Sequence, residues 1–241
     1  MIFVFGANKA GRHAKGAALL AARHFGAQEG TAFGLQGDSF GIPTRDERIE
    51  TLPIDEIARH VEQFKEFAAG RPDLLFRVSR IGCGLAGYSD EQIWPLFSDA
   101  PANCLLPGIW LQKRNPRMAR CIVSGVPTFA DRGLLTETLD YTVSRRSDLQ
   151  NVMIVSTGED GAGKLAETWA ENRGIAYVQY PADRRRFGRE ADLLRNLEVC
   201  WYGTHLVAFD DGQDSGTQGL IAAARQGNIK QKVISLAPAD V

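Results

Sequence analysis

Residues 80–88, R-I-G-C-G-L-A-G-Y, place Gly82, Gly84 and Gly87 within six positions, directly after the apolar segment L-L-F-R-V-S. Glycine at that spacing lets a backbone approach a ligand closely or take up φ > 0. The next segment, S-D-E-Q-I-W-P-L-F, reads as a helix. Unpaired amides at a strand-to-helix turn favour an anion, phosphate above all; a tight turn with no guest is the alternative. Four more loops offer similar chemistry: F-G-A-N-K-A-G-R-H (5–13), V-S-G-V-P-T-F-A-D (123–131), V-S-T-G-E-D-G-A-G-K-L (155–165) and F-D-D-G-Q-D-S-G-T-Q-G (209–219). Cys83 stands between two glycines in a candidate anion loop, where a thiol pKa can fall and create a nucleophile, yet no partner histidine can be assigned. Asn8 has a side-chain amide that suits ribose hydroxyls or, equally, the capping of its own loop. His13, with no paired acid, reads as a loop histidine.

G-E-D-G-A-G-K-L (158–165) matches the phosphate-binding pattern G-x-x-x-x-G-K-[ST] up to its last letter. That letter supplies the hydroxyl for Mg²⁺, and Leu165 has none. Lys164 is then better read as a solvated lysine in a first helical turn than as a catalytic group. Cys83, Cys104, Cys121 and Cys200 form no C-x-x-C pair and have no histidines close by, so neither a zinc site nor a disulfide framework is expected. No metal and no cofactor are expected.

Bulk properties narrow the field further. With 28 basic and 29 acidic residues the net charge is −1, so no global field draws the protein to nucleic acid or membrane. No apolar run approaches the roughly 20 residues of a bilayer span. M-I-F-V-F enters a strand without a basic region before it, so no signal peptide is expected. These features point to a cytoplasmic α/β protein.

The loops need elements to hold them. I-F-V-F (2–5) reads as a buried strand, 14–25 as a helix of small and apolar residues, and 74–79 as another strand. I-D-E-I-A-R-H-V-E-Q-F-K-E-F-A (54–68) puts Ile54, Ile57, Val61, Phe64 and Phe67 on one helical face. L-Q-K-R-N-P-R-M (111–118) has no period and reads as a divide. Beyond it, R-C-I-V-S-G, N-V-M-I-V-S, A-Y-V-Q-Y, H-L-V-A-F and K-V-I-S-L are apolar runs separated by helical stretches. Continuous apolar strands alternating with helices imply a parallel sheet covered on both faces. Ligands of such sheets bind beyond the strands' carboxyl ends. All five glycine loops fall there, which points to a nucleotide-like ligand in each half. Trp94, Trp110, Trp169 and Trp201 are read as packing residues.

With G-A-A-L-L-A-A-R-H-F-G, G-I-P-T-R-D and R-I-G-C-G-L-A-G-Y in that order, residues 1–112 resemble a macrodomain, in the branch of terminal ADP-ribose glycohydrolases and their phage and bacterial relatives. The resemblance implies an α/β/α domain that binds ADP-ribose with the diphosphate between two glycine loops. Gly82, Cys83, Gly84, Leu85 and Gly87, closed by Tyr88, would form one loop. Gly11, Arg12 and Gly16 would belong to the other, with Asn8 beside it. In that branch a lysine nucleophile and an acid stand where this chain has Arg45 and Ala86. A guanidinium is essentially never deprotonated and alanine moves no proton. Arg45 is read as a phosphate or ribose contact, with a surface arginine as the alternative. Asp46 and Asp90 are the candidate catalytic acids if there is hydrolysis.

Residues 119–236, with S-G-V-P-T-F-A-D, S-T-G-E-D-G-A-G-K-L-A, P-A-D-R-R-R-F-G-R-E-A, L-L-R-N and A-F-D-D-G-Q-D-S-G-T, resemble the SLOG superfamily in its YspA-like branch. The implied domain, 118–241, is a Rossmann-like five-stranded parallel sheet. Its nucleotide contacts would come from Ser124 and Gly125, from Ser156, Thr157, Gly158 and Gly161, from Arg195 and Asn196, and from Asp211, Ser215, Gly216 and Thr217. Hydroxyls, amides and a forked cation suit phosphate and ribose oxygens. The branch carries an acid where Gly163 stands. Arg184, Arg185 and Arg186 are either a solvated loop or a phosphate gate. Together the two resemblances imply a protein that binds or sequesters ADP-ribose or an NAD-derived signal of the cyclic ADP-ribose type, in a phage or bacterial defence setting. The alternative is a glycosidase-type hydrolase of ADP-ribosyl or nucleotide substrates. The expected partner is a small nucleotide, with no role for membrane or nucleic acid. A homo-oligomer is left open.

Overall fold

The structure, a computed structural model, describes residues 1–144 and 151–236. The chain divides into two compact units, Met1–Trp110 and Leu111–Val241. The first holds β1 (Ile2–Asn8), α1 (Gly16–His24), β2 (Gly34–Gln36), β3 (Ser39–Arg45), α2 (Ile54–Ala69), β4 (Phe76–Val78), α3 (Asp90–Ile93), β5 (Cys104–Leu105) and the start of α4 (Gly108–Arg114). Its sheet has the order β2-β3-β1-β4-β5, with β2 antiparallel to β3 and the other pairs parallel. Ile2 to Phe5 are buried on both faces of the central strand, as the unbroken apolar run requires. Ile57, Val61 and Phe64, one helical turn apart on α2, are fully or almost fully buried. Phe64 packs edge-on against Phe40 and Phe76, at 5.1 and 5.5 Å between ring centres.

The β2–β3 hairpin and the two-residue β5 have no counterpart among the expected strands. S-F-G-I-P-T-R carries Gly41 and Pro43, which depress strand propensity, yet all but its last residue are buried. A Cβ on Gly41 would lie 2.6 Å from the Ala32 carbonyl oxygen, so only glycine fits that position. Pro43 has no N–H for the ladder. The pairing with β1 slips just after it, from Ala7↔Pro43 to Asn8↔Arg45. This bulge leaves Thr44 as the extra residue, and its hydroxyl donates to the Ala7 carbonyl at 3.3 Å.

The second unit holds β6 (Ala119–Gly125), α5 (Arg132–Ser144), β7 (Val152–Ser156), α6 (Ala162–Glu171), β8 (Ala176–Gln179), α7 (Arg184–Phe187), α8 (Ala191–Tyr202), β9 (His205–Asp210), α9 (Ser215–Gln226) and β10 (Lys230–Ser235). All five strands run parallel in the order β10-β9-β6-β7-β8, and all five expected apolar runs are strands. Alternate residues of β6 feed two cores. Cys121 and Val123 join α5 and α6 on one face, while Ile122 joins α8 and α9 on the other. This is a Rossmann-like α/β unit. Two expectations are corrected by the geometry. The units part at 110/111, at the edge of the expected divide, but L-Q-K-R (111–114) is the end of α4 and not irregular chain, and 94–97, with Pro95, is a 3-10 turn after the short α3. Residues 237–241 of the expected second domain lie outside the described residues. Among the described residues no helix is long and apolar enough to cross a membrane.

Candidate functional site

At the carboxyl ends of β1, β3 and β4 the first unit opens a cleft of about 600 Å³. Its walls are the end of β1 with Asn8, the entry to α1 from Arg12 to Ala18 except His13, the end of β3 with Thr44 and Arg45 plus Ile49, and the segment from Ser79 to Ala86 except Cys83. The strand pairing explains the convergence, because β1 lies between β3 and β4 and all three run parallel. Two amide-rich segments face each other across the opening. Leu85 Cδ1 lies 3.7 Å from where a Gly16 Cβ would stand. The first-turn amides of α1 have no acceptor within the helix, as at any helix start. Among the described residues, the N–H groups of Gly84, Leu85 and Ala86 donate to no protein group. The φ of Gly82 is +72° and of Gly87 +79°, turning the chain back so that the Tyr88 N–H reaches the Gly82 carbonyl at 3.0 Å.

Four basic side chains line the cleft (Arg12, Lys15, Arg45 and Arg80), and none of its lining residues is acidic. Arg80 is fixed by the Asp90 carboxylate in a two-pronged pair. Arg45 is not so fixed: its Nε is buried and has no hydrogen-bond partner. A buried guanidinium N–H without an acceptor is costly, and an anion in the cleft would supply one. Lys15, Thr44, Ile49, Ser79 and Arg80 were not among the expected contacts. Thr44 reaches the cleft through the bulge, which no sequence period announces.

The remaining expected residues are placed differently. The Asn8 side chain holds its own loop, donating to the Arg12 carbonyl at 2.7 Å and accepting the Arg12 N–H at 3.1 Å. Gly11, at φ +65°, lies against Gly30, where a Cβ would come within 2.4 Å of backbone. Tyr88 donates its hydroxyl to the Leu52 carbonyl at 2.7 Å. His13 does lie in the loop between β1 and α1, but it is buried, with Nε2 3.0 Å from the Gln28 carbonyl and its ring edge-on to Phe5, so its role is packing. Neither candidate acid lines the cleft. Asp46 Oδ1 accepts the N–H groups of Arg48 and Glu50, each at 2.8 Å. Asp90, 7% exposed, accepts from Trp110 Nε1 at 2.6 Å as well as from Arg80. Burial works against the charge on Asp90, but the Arg80 and Trp110 hydrogen bonds outweigh it and hold the carboxyl below its ordinary range. The Cys83 thiol is not activated: burial, with the nearby Asp90 charge, pushes it up to about 12.

The second unit gathers its expected residues at the carboxyl ends of β6, β7 and β9. Ser124, Ser156 and Thr157 are buried there, and Ser156 Oγ accepts the Gly158 N–H at 3.0 Å. Gly158 and Gly161 have φ of +73° and +83°. Gly125 is a packing glycine, since a Cβ would lie 2.8 Å from the Phe209 carbonyl oxygen. Arg195, 3% exposed, donates to Asn196 Oδ1 at 2.8 Å, to the Thr157 carbonyl at 3.4 Å and to Glu159 at 3.3 Å. The forked cation is thus engaged by Glu159, a residue the sequence reading missed. Asp211 accepts the N–H groups of Gln213 and Asp214, which hold its carboxyl below the ordinary range. Asp214 caps α9 through the Thr217 N–H at 2.7 Å, with Ser215 and Gly216 in the same turn, while the buried Thr217 hydroxyl has no partner. Arg184 pairs with Asp192 at 2.9 Å and opens a short helix capped by Asp183. Lys164 pairs with Glu167 of its own helix at 2.8 Å. Glu167, also unforeseen, is almost wholly buried. Burial opposes its charge, but hydrogen bonds from Lys164, Ser156 and Gln179 hold its carboxyl below the ordinary range.

Residues 119–187 match the model of the YspA, cpYpsA-related SLOG family. No curated protein matches the chain. Among solved structures, DNA processing protein A (DprA) from Streptococcus pneumoniae is similar at 14% identity and a TM-score of 0.39. The similarity covers 52% of this chain and 53% of that one, so the chain spans about half the length of this neighbour.

Proposed function

We propose that the first unit is a nucleotide-binding module that holds ADP-ribose, or a related NAD-derived nucleotide, by its diphosphate without cleaving it. The observation that carries this reading is the cleft's charge. Four basic side chains and several undonated amides surround about 600 Å³ at the strand ends, with no lining carboxylate. Such a volume suits a nucleotide-sized ligand. The likeness of residues 1–112 to macrodomains supports the diphosphate assignment, with Gly16 to Ala18 on one side and Gly82 to Ala86 on the other. The unpartnered Nε of Arg45 supports an anion between them. Binding is favoured over hydrolysis because Asp46 and Asp90 are each committed to other groups, and neither reaches the cleft. The SLOG match over residues 119–187 supports a nucleotide-related ligand for the second unit as well.

A thermal-shift panel with ADP-ribose, NAD, AMP, cyclic ADP-ribose isomers and phosphate, each sample then separated by liquid chromatography, tests the reading. ADP-ribose at about 100 times its Kd should stabilise by about 2.7 kcal/mol, a rise of several degrees, and be recovered intact. Consumption of the ligand would turn the binder into a hydrolase. No shift with any nucleotide would overturn the proposal.

A further inference from the structure

Ile49 lines the cleft with φ +71°. The left-handed region is an outlier for a β-branched residue, whose Cβ meets the backbone there. Such strain persists only where surrounding structure over-determines it, and here it does. Asp46 Oδ1 accepts the Arg48 and Glu50 N–H groups, the Asp46 N–H donates to the Glu50 carbonyl at 2.8 Å, and Arg45 bridges to Thr51. The turn is then fastened to the glycine segment. Thr51 Oγ1 donates to the Ala86 carbonyl at 2.9 Å and Tyr88 to the Leu52 carbonyl. Nothing in this turn calls for isoleucine, since glycine or asparagine would adopt φ +71° more easily. Ile49 is partly exposed, and the large exposed apolar side chain in the same cleft is Leu85, 61% exposed, with Ala14, Ala17 and Ala86 also among the lining residues.

We infer that Ile49, with Leu85, is the specificity-determining apolar contact of the cleft, gripping the base or sugar face of a nucleotide whose phosphates lie on the amides and arginines. The inference rests on the nucleotide reading of this cleft and adds which ligands it rejects: bare polyphosphates, which share the charge and lack the apolar face.

The test is titration calorimetry of the full chain and its Ile49→Asn and Ile49→Leu variants with ADP-ribose and with pyrophosphate, alongside thermal melts. Asparagine takes left-handed φ readily but offers no apolar face. Ile49→Asn should melt no lower than wild type and bind ADP-ribose about tenfold more weakly, with pyrophosphate affinity unchanged. Ile49→Leu should retain the wild-type preference for ADP-ribose. Unchanged ADP-ribose affinity in Ile49→Asn overturns the contact. Equal losses for both ligands would make Ile49 a scaffold of the turn and overturn it too. A wild type that binds pyrophosphate but not ADP-ribose, or neither, removes the nucleotide reading itself, an outcome distinct from failure of the variants.

Discussion

At the scale of single residues, two arginines in one cleft do different work. Arg80 is spent on Asp90, whereas the Nε of Arg45 has no acceptor. Arg45→Ala should therefore cost most of the ADP-ribose affinity with little change in the melting temperature of the free protein; calorimetric titration that finds wild-type affinity removes Arg45 from the site. Asp90→Asn should instead destabilise by about 3 kcal/mol, because it leaves a partly buried guanidinium without its counter-charge. The folded carboxyl of Asp90 sits below its unfolded value. Its contribution is thus complete above the ordinary aspartate pKa of about 3.9 and is lost as pH falls through the lower folded value. Denaturant melts should show the wild-type advantage over Asp90→Asn constant near neutrality and shrinking in acid. A gap that widens in acid would contradict the assigned pair. Arg45 could be proposed from its residue type and place in G-I-P-T-R-D. Loop capping by Asn8 was one of its two readings, and the structure shows it; the commitments of Asp46 and Asp90 were hidden, because each partner is either a backbone group or distant in sequence.

Elements divide by how their signal was written. β6, β7 and β9 are legible because parallel strands buried on both faces must be apolar throughout; the edge strands β8 and β10 are largely exposed and are legible only as shorter apolar runs between helices. α2 is legible because its buried stripe repeats every three to four residues. The β2–β3 hairpin was not, since glycine, proline and threonine were selected there by contacts at 2.6 to 3.3 Å and by a bulge. Those constraints are tertiary. The same logic grades the loop glycines before α6. A Cβ at Gly161 would lie 2.3 Å from the Val126 carbonyl oxygen, while one at Gly158 would meet only Pro181 at 3.7 Å. Gly158→Ala should then cost about 1–2 kcal/mol, the left-handed penalty alone, and Gly161→Ala clearly more. Equal losses in chemical denaturation would mean that the backbone beside Gly161 yields.

Across the whole molecule the net charge is −1, yet the charged residues that line the cleft of the first unit are all basic. Binding there should weaken as salt rises, since screening sets in over about 10 Å at 0.1 M. Hydrogen exchange with and without ADP-ribose reads out the whole chain at once. Protection is expected over residues 8–18, 44–51 and 79–88, and its absence from all three would locate the ligand elsewhere. Protection of 156–161 and 211–217 by the same ligand would assign it to the second unit also.

The peptide joining Ala86 to Gly87 is fastened at both ends, its carbonyl by Thr51 and its N–H by the Gly84 carbonyl at 3.0 Å. A peptide plane so held resists flipping, so a guest on the adjoining amides should meet a loop already set for it. On the nucleotide reading, arrival should then need no rearrangement of this loop, and stopped-flow mixing should find that ligands differ mainly in how long each one stays.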